Sequence, residues 1–328
     1  MMNSAPRPHF QPHFLLRLGH LQTLAGFFLP RPAWDETAQR HVVPVSDGDQ
    51  IVLHDDCPPQ WQPADRTALL VHGLSGSHAS PYMMRIARKL NGRGIRTFRM
   101  DLRGCGAGLA LARLPYHSGR SDDTAAALAA IAQLCPQSPT SLVGFSLGGT
   151  ISLNLLADTN NPPPPNLDRC LAICPPIDLA ASVAALRIGA NRLYDRFFVR
   201  TLLQQMDAQL QVRPDSPRTV FARPPRGMGE FDNAYTAPIC GFGTAENYYR
   251  QCSPISSLPE VRLPTLILAA ADDPLVPRAC FDEARLSPTT ALHITQFGGH
   301  LGFIGGTREN TDRRWMDWRV VEWVASHD

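Results

Sequence analysis

The sequence is most tightly constrained at Gly144-Phe145-Ser146-Leu147-Gly148, which has the form G-x-S-x-G. An apolar run at 140–143 precedes it, and a helix-like run at 149–157 follows. A strand, a tight turn and a helix in this order hold the central serine in a strained conformation with its hydroxyl exposed. The flanking glycines are needed because a Cβ there would collide with the neighbouring strand and helix. The pattern indicates a nucleophile, provided that the chain also supplies a base, an acid and an oxyanion hole.

Length and composition describe an ordinary globular protein. The 328 residues suffice for one large α/β domain with insertions or for two smaller domains. The net charge is +2 and no Lys/Arg-rich run occurs, so we expect no nucleic-acid partner. The eight cysteines are scattered without a C-x-x-C pair, which favours reduced core residues over a disulfide framework or a zinc site.

The N-terminal region shows no targeting or membrane-spanning pattern. Residues 1–12 lack the charged head and apolar core of a signal peptide. The apolar segment 14–29 is interrupted by Arg17, His20 and Gln22, which makes it too short and too polar to span a bilayer. We therefore expect a cytoplasmic protein without a transmembrane segment.

Strand-like and helix-like stretches alternate along most of the chain. Apolar runs typical of strands occur at 68–71, 96–101, 140–143, 169–174, 264–271 and, as the final strand, 291–297. A hairpin is expected at 41–45 and 51–54, and a final helix at 314–326. This alternation predicts an α/β fold with a mostly parallel central sheet and helices on both faces.

One region lacks this alternation of strands and helices, and its limits divide the chain into the predicted domains. Between 178 and 259, helical stretches give way to a loop-rich segment at 213–243. We interpret 178–259 as a lid or cap insertion between two strands. The remaining predicted parts are an N-terminal extension packed on the core at 1–40 and an α/β core formed by 41–177 and 260–328.

Apolar residues near the N-terminus fall at helical spacing. Five of them would share one face of a helix: Phe14, Leu18, Leu21, Ala25 and Phe28. We expect this face to pack on the domain, because the polar face lacks the Lys/Arg of an interfacial helix. The alternative is a surface helix that meets lipid or lines a substrate entrance. Because the Lys/Arg of an interfacial helix are missing, the sequence does not indicate peripheral membrane contact.

The partners of Ser146 are expected downstream of it, since an α/β-hydrolase runs in the order Ser, Asp or Glu, then His. Asp273 follows the strand at 264–271, at the edge of the sheet where active sites form, and lies four residues before Pro277. Asp272 is the fallback, with a turn or helix cap as its structural alternative. His300 follows the last predicted strand after two glycines, which let a short loop bring the imidazole over the serine.

The oxyanion hole is expected from main-chain donors. We assign the backbone N–H of Leu147, directly after the nucleophile, and that of Leu74 in the loop His72-Gly73-Leu74 after the first core strand. A serine, a histidine and an aspartate with two such donors complete acyl-transfer chemistry without a metal or an organic cofactor. We therefore predict no cofactor and no metal.

Several motifs in order resemble the YheT-like hydrolases of the α/β-hydrolase superfamily, a branch that includes plant embryogenesis-associated and mammalian membrane-anchored lipid hydrolases. They are His20–Leu24, His72–Ser77, Ser80–Tyr82, Arg103–Gly106, Tyr116–Gly119, Gly144–Gly149, Asp272–Pro274 and Gly298–Phe303. The resemblance implies carboxylic-ester hydrolysis with Ser146, Asp273 and His300 as the matching triad. Some relatives act on phospholipids or acylglycerols. The motifs at 103–106 and 117–119 are interpreted as braces for loops beside the pocket.

The expected function is a serine hydrolase that cleaves a small-molecule ester, with short- to medium-chain acyl or lipid-like groups, through an acyl-enzyme on Ser146. A thioesterase or acyltransferase with the same triad is the alternative, and a non-catalytic ligand-binding protein on the same fold is a third hypothesis. Six lid aromatics are candidates for an acyl pocket or for the lid's own core: Phe197, Phe198, Phe221, Phe231, Tyr235 and Phe242. Chain length, head group, lid state and oligomeric state stay open at this level.

Overall fold

The computed structural model describes residues 9–29, 38–309 and 312–326. Within these ranges one sheet has eight strands in the order β1-β2-β4-β3-β5-β6-β7-β8. The strands are β1 Gln39–Pro44, β2 Gln50–Asp56, β3 Thr67–Val71, β4 Arg96–Asp101, β5 Thr140–Phe145, β6 Leu167–Ile173, β7 Thr265–Ala270 and β8 Thr290–Thr295. Strands β3 to β8 are parallel, whereas β1 pairs with β2, and β2 with β4, in antiparallel register.

Helices connect these strands and cover both faces of the sheet. The α-helices are α1 Gly19–Phe28, α2 Pro81–Asn91, α3 Ser121–Leu134, α4 Leu147–Ala157, α5 Leu179–Leu186, α6 Arg192–Val212, α7 Met228–Phe231, α8 Ala237–Ile239, α9 Ala245–Cys252, α10 Ala279–Asp282 and α11 Trp315–Ala325. Short 3₁₀ turns lie at Gly106–Gly108, Gly189–Asn191, Pro254–Ser256 and Leu258–Glu260.

The core lies on both sides of the central strands. Every residue of β3 and β5 is buried, and such unbroken apolar strands are typical of parallel sheets covered on two faces. One core cluster joins the sheet to α3, α4 and the helices after β6, and a second joins it to α2 and α11. The predicted α/β fold with a mostly parallel sheet is therefore confirmed.

The region between β6 and β7 contains α5 to α9. The prediction of a loop-rich segment at 213–243 is wrong in part, because 228–239 is helical and includes a π-helical turn at Asp232–Thr236. Gly229 and Pro238 disfavour a helix there. Burial of Met228, Phe231 and Tyr235 outweighs that preference. The role of the region between β6 and β7 as a lid stays a prediction.

Helix α1 does not bury the face that its periodicity predicts. Phe14, Leu18 and Phe28 are 68%, 65% and 74% exposed, and in α1 the buried residue is Gln22. Its side-chain amide donates to the carbonyls of Leu16 and Ile304 and accepts from the N–H of Ile304. The expectation of an apolar packed face is therefore wrong, because the helix is attached by its amide and glycine side. Residues 1–8 and 30–37 of the predicted extension lie outside the described residues.

The chain continues in strand conformation beyond β8. The strand predicted at 291–297 is present as β8 Thr290–Thr295, but it is not the last strand, because β9 Ile304–Glu309 and β10 Asp312–Arg314 form a separate antiparallel pair after it. The sequence of β9 begins Ile304-Gly305-Gly306 and lacks the alternation that marks a strand. None of the helices in the described part of the chain is long and apolar enough to cross a membrane.

Candidate active site

Ser146 occupies a sharp turn between β5 and α4. Its φ of 51° and ψ of −119° lie in a region that non-glycine residues rarely adopt, which is the strain expected of this motif. A Cβ on Gly144 would collide with the carbonyl oxygen of Gly148, and one on Gly148 would collide with that of Val71. The two glycines are thus required by the close approach of strand, turn and helix.

Two loops at the same edge of the sheet bring an imidazole and a carboxylate to Ser146. Nε2 of His300 lies 2.8 Å from Oγ of Ser146, and Nδ1 lies 2.8 Å from Oδ2 of Asp273. Because a carboxylate only accepts, Nδ1–H donates to Asp273, which leaves Nε2 free to accept the hydroxyl proton of Ser146. The side chains of Asp273 and His300 are 1% and 9% exposed. The structure thus brings together the three residues singled out from the sequence.

The two neighbouring aspartates have different positions. Oδ1 of Asp273 accepts the N–H groups of Leu275 and Val276, which orients its other oxygen toward the imidazole. Oδ1 of Asp272 instead accepts the N–H of Gly299 at 2.9 Å, and burial raises the pKa of Asp272. Asp273, and not the fallback Asp272, therefore contacts His300.

The N-terminal helix contributes a contact that sequence reasoning missed. The backbone N–H of His300 donates to Oγ1 of Thr23 in α1. A Cβ on Gly19 would collide with the carbonyl of Asp272, and one on Gly302 with that of Gln22, so α1 lies directly against both loops. The motif His20–Leu24 was the one signal in the sequence that pointed to this region.

The N–H groups predicted for the oxyanion hole are available in the structure. Among the described residues, neither Leu74 N–H nor Leu147 N–H has a hydrogen-bond partner within the protein. Leu147 is the first residue of α4, where the helix dipole adds positive potential. The Leu147 donor lies in the first turn after Ser146, and the Leu74 donor lies in the loop after β3.

Two tyrosines hold the loop on either side of Leu74. The N–H of Gly73 donates to the Tyr82 hydroxyl and that of Ser75 donates to the Tyr116 hydroxyl, both at 2.9 Å. Burial raises the pKa of Tyr82 to about 12, so this hydroxyl remains neutral. Both tyrosines belong to motifs that carried the resemblance, but their role was not visible in the sequence.

Behind this loop, buried histidines meet Asp101. Its carboxylate accepts hydrogen bonds from His54 Nε2, from the backbone N–H and Nδ1 of His78, and from the N–H of Ala107. Burial opposes ionisation of Asp101, but the bonds from His54 and His78 outweigh it and hold the pKa below its usual range. His54, His78 and Asp101 are close enough to hold a metal ion. The four donors already occupy the carboxylate, so we assign the cluster to bracing the loop.

A second group with metal-ligand spacing overlaps the site itself. The side chains of Cys174, Asp273 and His300 offer atoms within 4.8 Å of one another. Burial raises the pKa of the Cys174 thiol well above its usual value, and metals bind the thiolate. The donor chemistry therefore fits the hydrogen-bonded arrangement with Ser146 better than a metal centre.

The motifs at 103–106 and 117–119 lie beside the site. The buried Arg103 guanidinium donates to Asp123, Asp47 and Asp49, and so ties the loop after β4 to the turn between β1 and β2 and to α3. Burial lowers the pKa of His117 to about 3, and its Nδ1 accepts the N–H of Gly119. A neutral His117 and a fully paired Arg103 agree with the interpretation as loop braces.

A cavity of about 140 Å³ opens onto Ser146, His300, Leu74 and Leu147. Much of its wall is apolar and comes from the region between β6 and β7, namely Leu179, Val183, Leu186, Phe198, Leu202, Met206, Met228 and Phe231. Of the six candidate aromatics, Phe198, Phe231 and Tyr235 line the cavity.

The other three aromatics have different surroundings. Phe221 stacks on Phe231 with ring centroids 6.3 Å apart, and Phe242 packs edge-on against His117. Phe197 is half exposed and contacts Phe27 of α1. The six candidate aromatics are thus divided between the cavity wall and the packing around it.

Comparison with known proteins identifies the family to which the chain belongs. Residues 68–307 match the family model described as alpha/beta hydrolase fold. The Escherichia coli (strain K12) protein named "Putative esterase YheT" is 32% identical over 94% of this chain and 90% of that protein. The Saccharomyces cerevisiae protein named monoacylglycerol lipase is 25% identical over 87% of this chain and 63% of that protein.

A solved structure agrees in fold. The Pyrococcus furiosus esterase Pf2001 superposes with a TM-score of 0.56 over 90% of this chain and 97% of that chain, at 15% sequence identity. With the family match and the relative at 32% identity, the chain belongs to the α/β-hydrolase superfamily, in the esterase- and lipase-type branch that contains YheT.

Proposed function

We propose that the protein is a serine hydrolase that cleaves small-molecule carboxylic esters through an acyl-enzyme on Ser146. The observation that carries the proposal is the unbroken chain of 2.8 Å contacts from Ser146 Oγ through His300 to Asp273. His300 acts as the base, the Asp273 carboxylate orients it, and the N–H groups of Leu74 and Leu147 form the oxyanion hole. The complete series of contacts from Ser146 through His300 to Asp273 also weighs against a purely ligand-binding protein.

The chemistry follows from the direction of the hydrogen bonds. His300 takes the proton of Ser146 through Nε2 as Oγ attacks the ester carbonyl carbon. The Asp273 carboxylate holds the Nδ1–H tautomer and stabilises the imidazolium. The carbonyl oxygen becomes an oxyanion that accepts from Leu74 and Leu147. His300 then protonates the leaving alcohol, and water repeats the sequence on the acyl-enzyme.

Cavity size and relatives guide the choice of substrate. A cavity of about 150 Å³ in another protein admits one benzene ring, so about 140 Å³ suits a group of roughly six carbon atoms. This supports short- to medium-chain acyl esters, and the yeast relative's name, monoacylglycerol lipase, supports lipid-like esters. Thioester cleavage or acyl transfer would use the same acyl-enzyme, but no contact in the cavity favours either.

The test is turnover of p-nitrophenyl esters with acyl chains from two to twelve carbons. We expect hydrolysis that is fastest at short to medium length, and loss of at least a thousandfold in kcat for Ser146→Ala. The control is Ser256→Ala, which removes the hydroxyl of an exposed serine in a 3₁₀ turn. A folded wild type that hydrolyses none of the esters contradicts the function, and full turnover by Ser146→Ala contradicts the nucleophile.

A further inference from the structure

A buried carboxylate faces the same cavity as Ser146. Asp232 is 5% exposed, lines the cavity, and is the first residue of the π-helical turn at 232–236. Its Oδ1 accepts from Thr236 Oγ1 at 2.8 Å and its Oδ2 accepts from the Tyr249 hydroxyl at 2.7 Å. A carboxylate oxygen has two lone pairs, so each oxygen keeps one acceptor site. Single π-turns of this kind recur at functional sites.

Asp232 has no cationic partner within the described part of the chain, where its polar contacts are those with Thr236 and Tyr249. Arg103 also lines the cavity, but three carboxylates surround its guanidinium, those of Asp47, Asp49 and Asp123. A buried, unpaired carboxylate is costly, and most such groups in proteins are paired.

The charge state of Asp232 matters for a ligand. Burial raises its pKa to about 6, and the neighbouring Asp195 carboxylate acts in the same direction. A cation beside the carboxylate would favour its ionised form. This end of the cavity thus holds a carboxylate that has no countercharge among the described residues.

Four aromatic residues line the same cavity as this carboxylate. Phe231 and Tyr235 line the cavity with centroids 5.3 Å apart, and Tyr248 and Tyr249 line it with centroids 5.3 Å apart. Burial raises the pKa of Tyr235 to about 12, so its ring stays neutral at physiological pH. Aromatic faces attract ammonium groups, most strongly where water is excluded.

We propose that Asp232, with the rings of Phe231, Tyr235, Tyr248 and Tyr249, forms a subsite for a positively charged ammonium group on the ester substrate. The inference rests on the proposed function and refines it, since it assigns a substrate class to the cavity above Ser146. A neutral hydroxyl could also bond to the carboxylate. The missing countercharge and the surrounding rings favour a cation.

The experiment compares two esters of equal shape. Butyrylcholine carries a quaternary ammonium, and 3,3-dimethylbutyl butyrate carries a neutral tert-butyl group in its place. We expect wild type to favour butyrylcholine in kcat/KM by at least tenfold. Asp232→Asn should lose most of this preference, and because the preference is the ratio of two kcat/KM values, any general loss of activity in the variant cancels in it.

The matched control is Asp207→Asn, which removes one charge from an exposed position of α6. It should keep the preference of wild type. If Asp232→Asn fails to fold, the ratio of the two rates in wild type is followed with pH instead. The ratio should fall toward one as the pH drops below about 6, and the pH dependence of the shared chemistry cancels in it.

The outcomes separate the subsite from the function. If p-nitrophenyl esters are hydrolysed but butyrylcholine is not preferred, the subsite is wrong and the esterase function stands. If no ester is hydrolysed by folded enzyme, the proposed function itself fails. A preference for monobutyrylglycerol over both esters that is lost in Asp232→Asn would replace the cation with a hydroxyl-bearing substrate and overturn the proposal.

Discussion

The backbone N–H of His300 donates a 2.9 Å hydrogen bond to Oγ1 of Thr23, although 277 residues separate the two in the chain. Oγ1 of Thr23 in turn donates to the carbonyl of Gly19, one turn earlier in α1. Gln22 bonds both main-chain groups of Ile304, four residues after His300. Helix α1 therefore fixes the loop that carries the proposed base.

Replacing Thr23 by Val should lower kcat about threefold to tenfold. The change removes an acceptor worth about 0.5–1.5 kcal/mol and frees the His300 backbone. KM should change little, because Thr23 does not line the cavity. Steady-state kinetics on p-nitrophenyl butyrate measures both constants. Thr23→Ser should restore kcat, and Thr201→Val, at an exposed hydroxyl of α6, should have no effect. An unchanged kcat in Thr23→Val would exclude a positioning role.

The adjacent aspartates form a matched pair of variants. Asp273→Asn should lower kcat by about 10³–10⁴, because an amide no longer holds the Nδ1–H tautomer of His300. Asp272→Asn should lose less than tenfold, since Asp272 accepts the loop N–H of Gly299, whereas Asp273 is the carboxylate bonded to His300. The kcat of each variant on the same ester decides the assignment. A larger loss in Asp272→Asn would reverse it.

Removing either tyrosine hydroxyl beside Leu74 should weaken transition-state binding. Tyr116→Phe leaves the N–H of Ser75, and Tyr82→Phe that of Gly73, without its acceptor, at a cost of about 1–3 kcal/mol. The Leu74 donor is then less well placed for the oxyanion, so kcat should fall more than KM rises. Tyr248→Phe is the matched control, because its hydroxyl also accepts a buried backbone N–H, that of Ser118, but outside the loop that carries Leu74. Equal effects in all three variants would argue against an oxyanion role.

Asp232 should make stability depend on pH. Its pKa of about 6 exceeds the unfolded value of about 3.9, so the folded state binds more protons between these pH values. Stability therefore falls as the pH rises from about 4 to 6. The free energy of unfolding of Asp232→Asn, relative to wild type, should rise by on the order of 2–3 kcal/mol between pH 4 and pH 8. Urea unfolding at several pH values measures the difference, which should stay flat for Asp207→Asn. A flat difference for Asp232→Asn would mean that the carboxylate is not destabilised by burial.

The sheet was predictable from the sequence because buried parallel strands are short apolar runs, such as 68–71 and 169–174, separated by helical periods. The juxtaposition of Ser146, Asp273 and His300 was predictable because each follows a strand at one edge. The sequence favoured Asp273 over Asp272 but did not decide between them. Which carboxylate reaches the imidazole depends on the conformation of the turn, in which the N–H groups of Leu275 and Val276 donate to Asp273.

Other features of the structure could not be predicted from the nearby sequence. Helical spacing shows that Phe14, Leu18 and Phe28 share a face, but not whether another surface covers it. Asp232 lies in a π-turn within a segment of glycines and prolines, and propensity alone predicts a loop there. Its hydrogen bonds come from Thr236 and from Tyr249, 17 residues away, and only the folded chain reveals them.

Helix α1 lies outside the 68–307 span of the family match, yet it holds the His300 loop. The part of the chain that the family model matches is therefore shorter than the part that holds the proposed base in place. A chain trimmed to begin at residue 38 would keep every strand of the main sheet and lose Thr23 and Gln22. In such a truncated enzyme, a synthetic peptide spanning residues 9–29 would act as an activating ligand, and its affinity would report how strongly the helix is held in the intact protein.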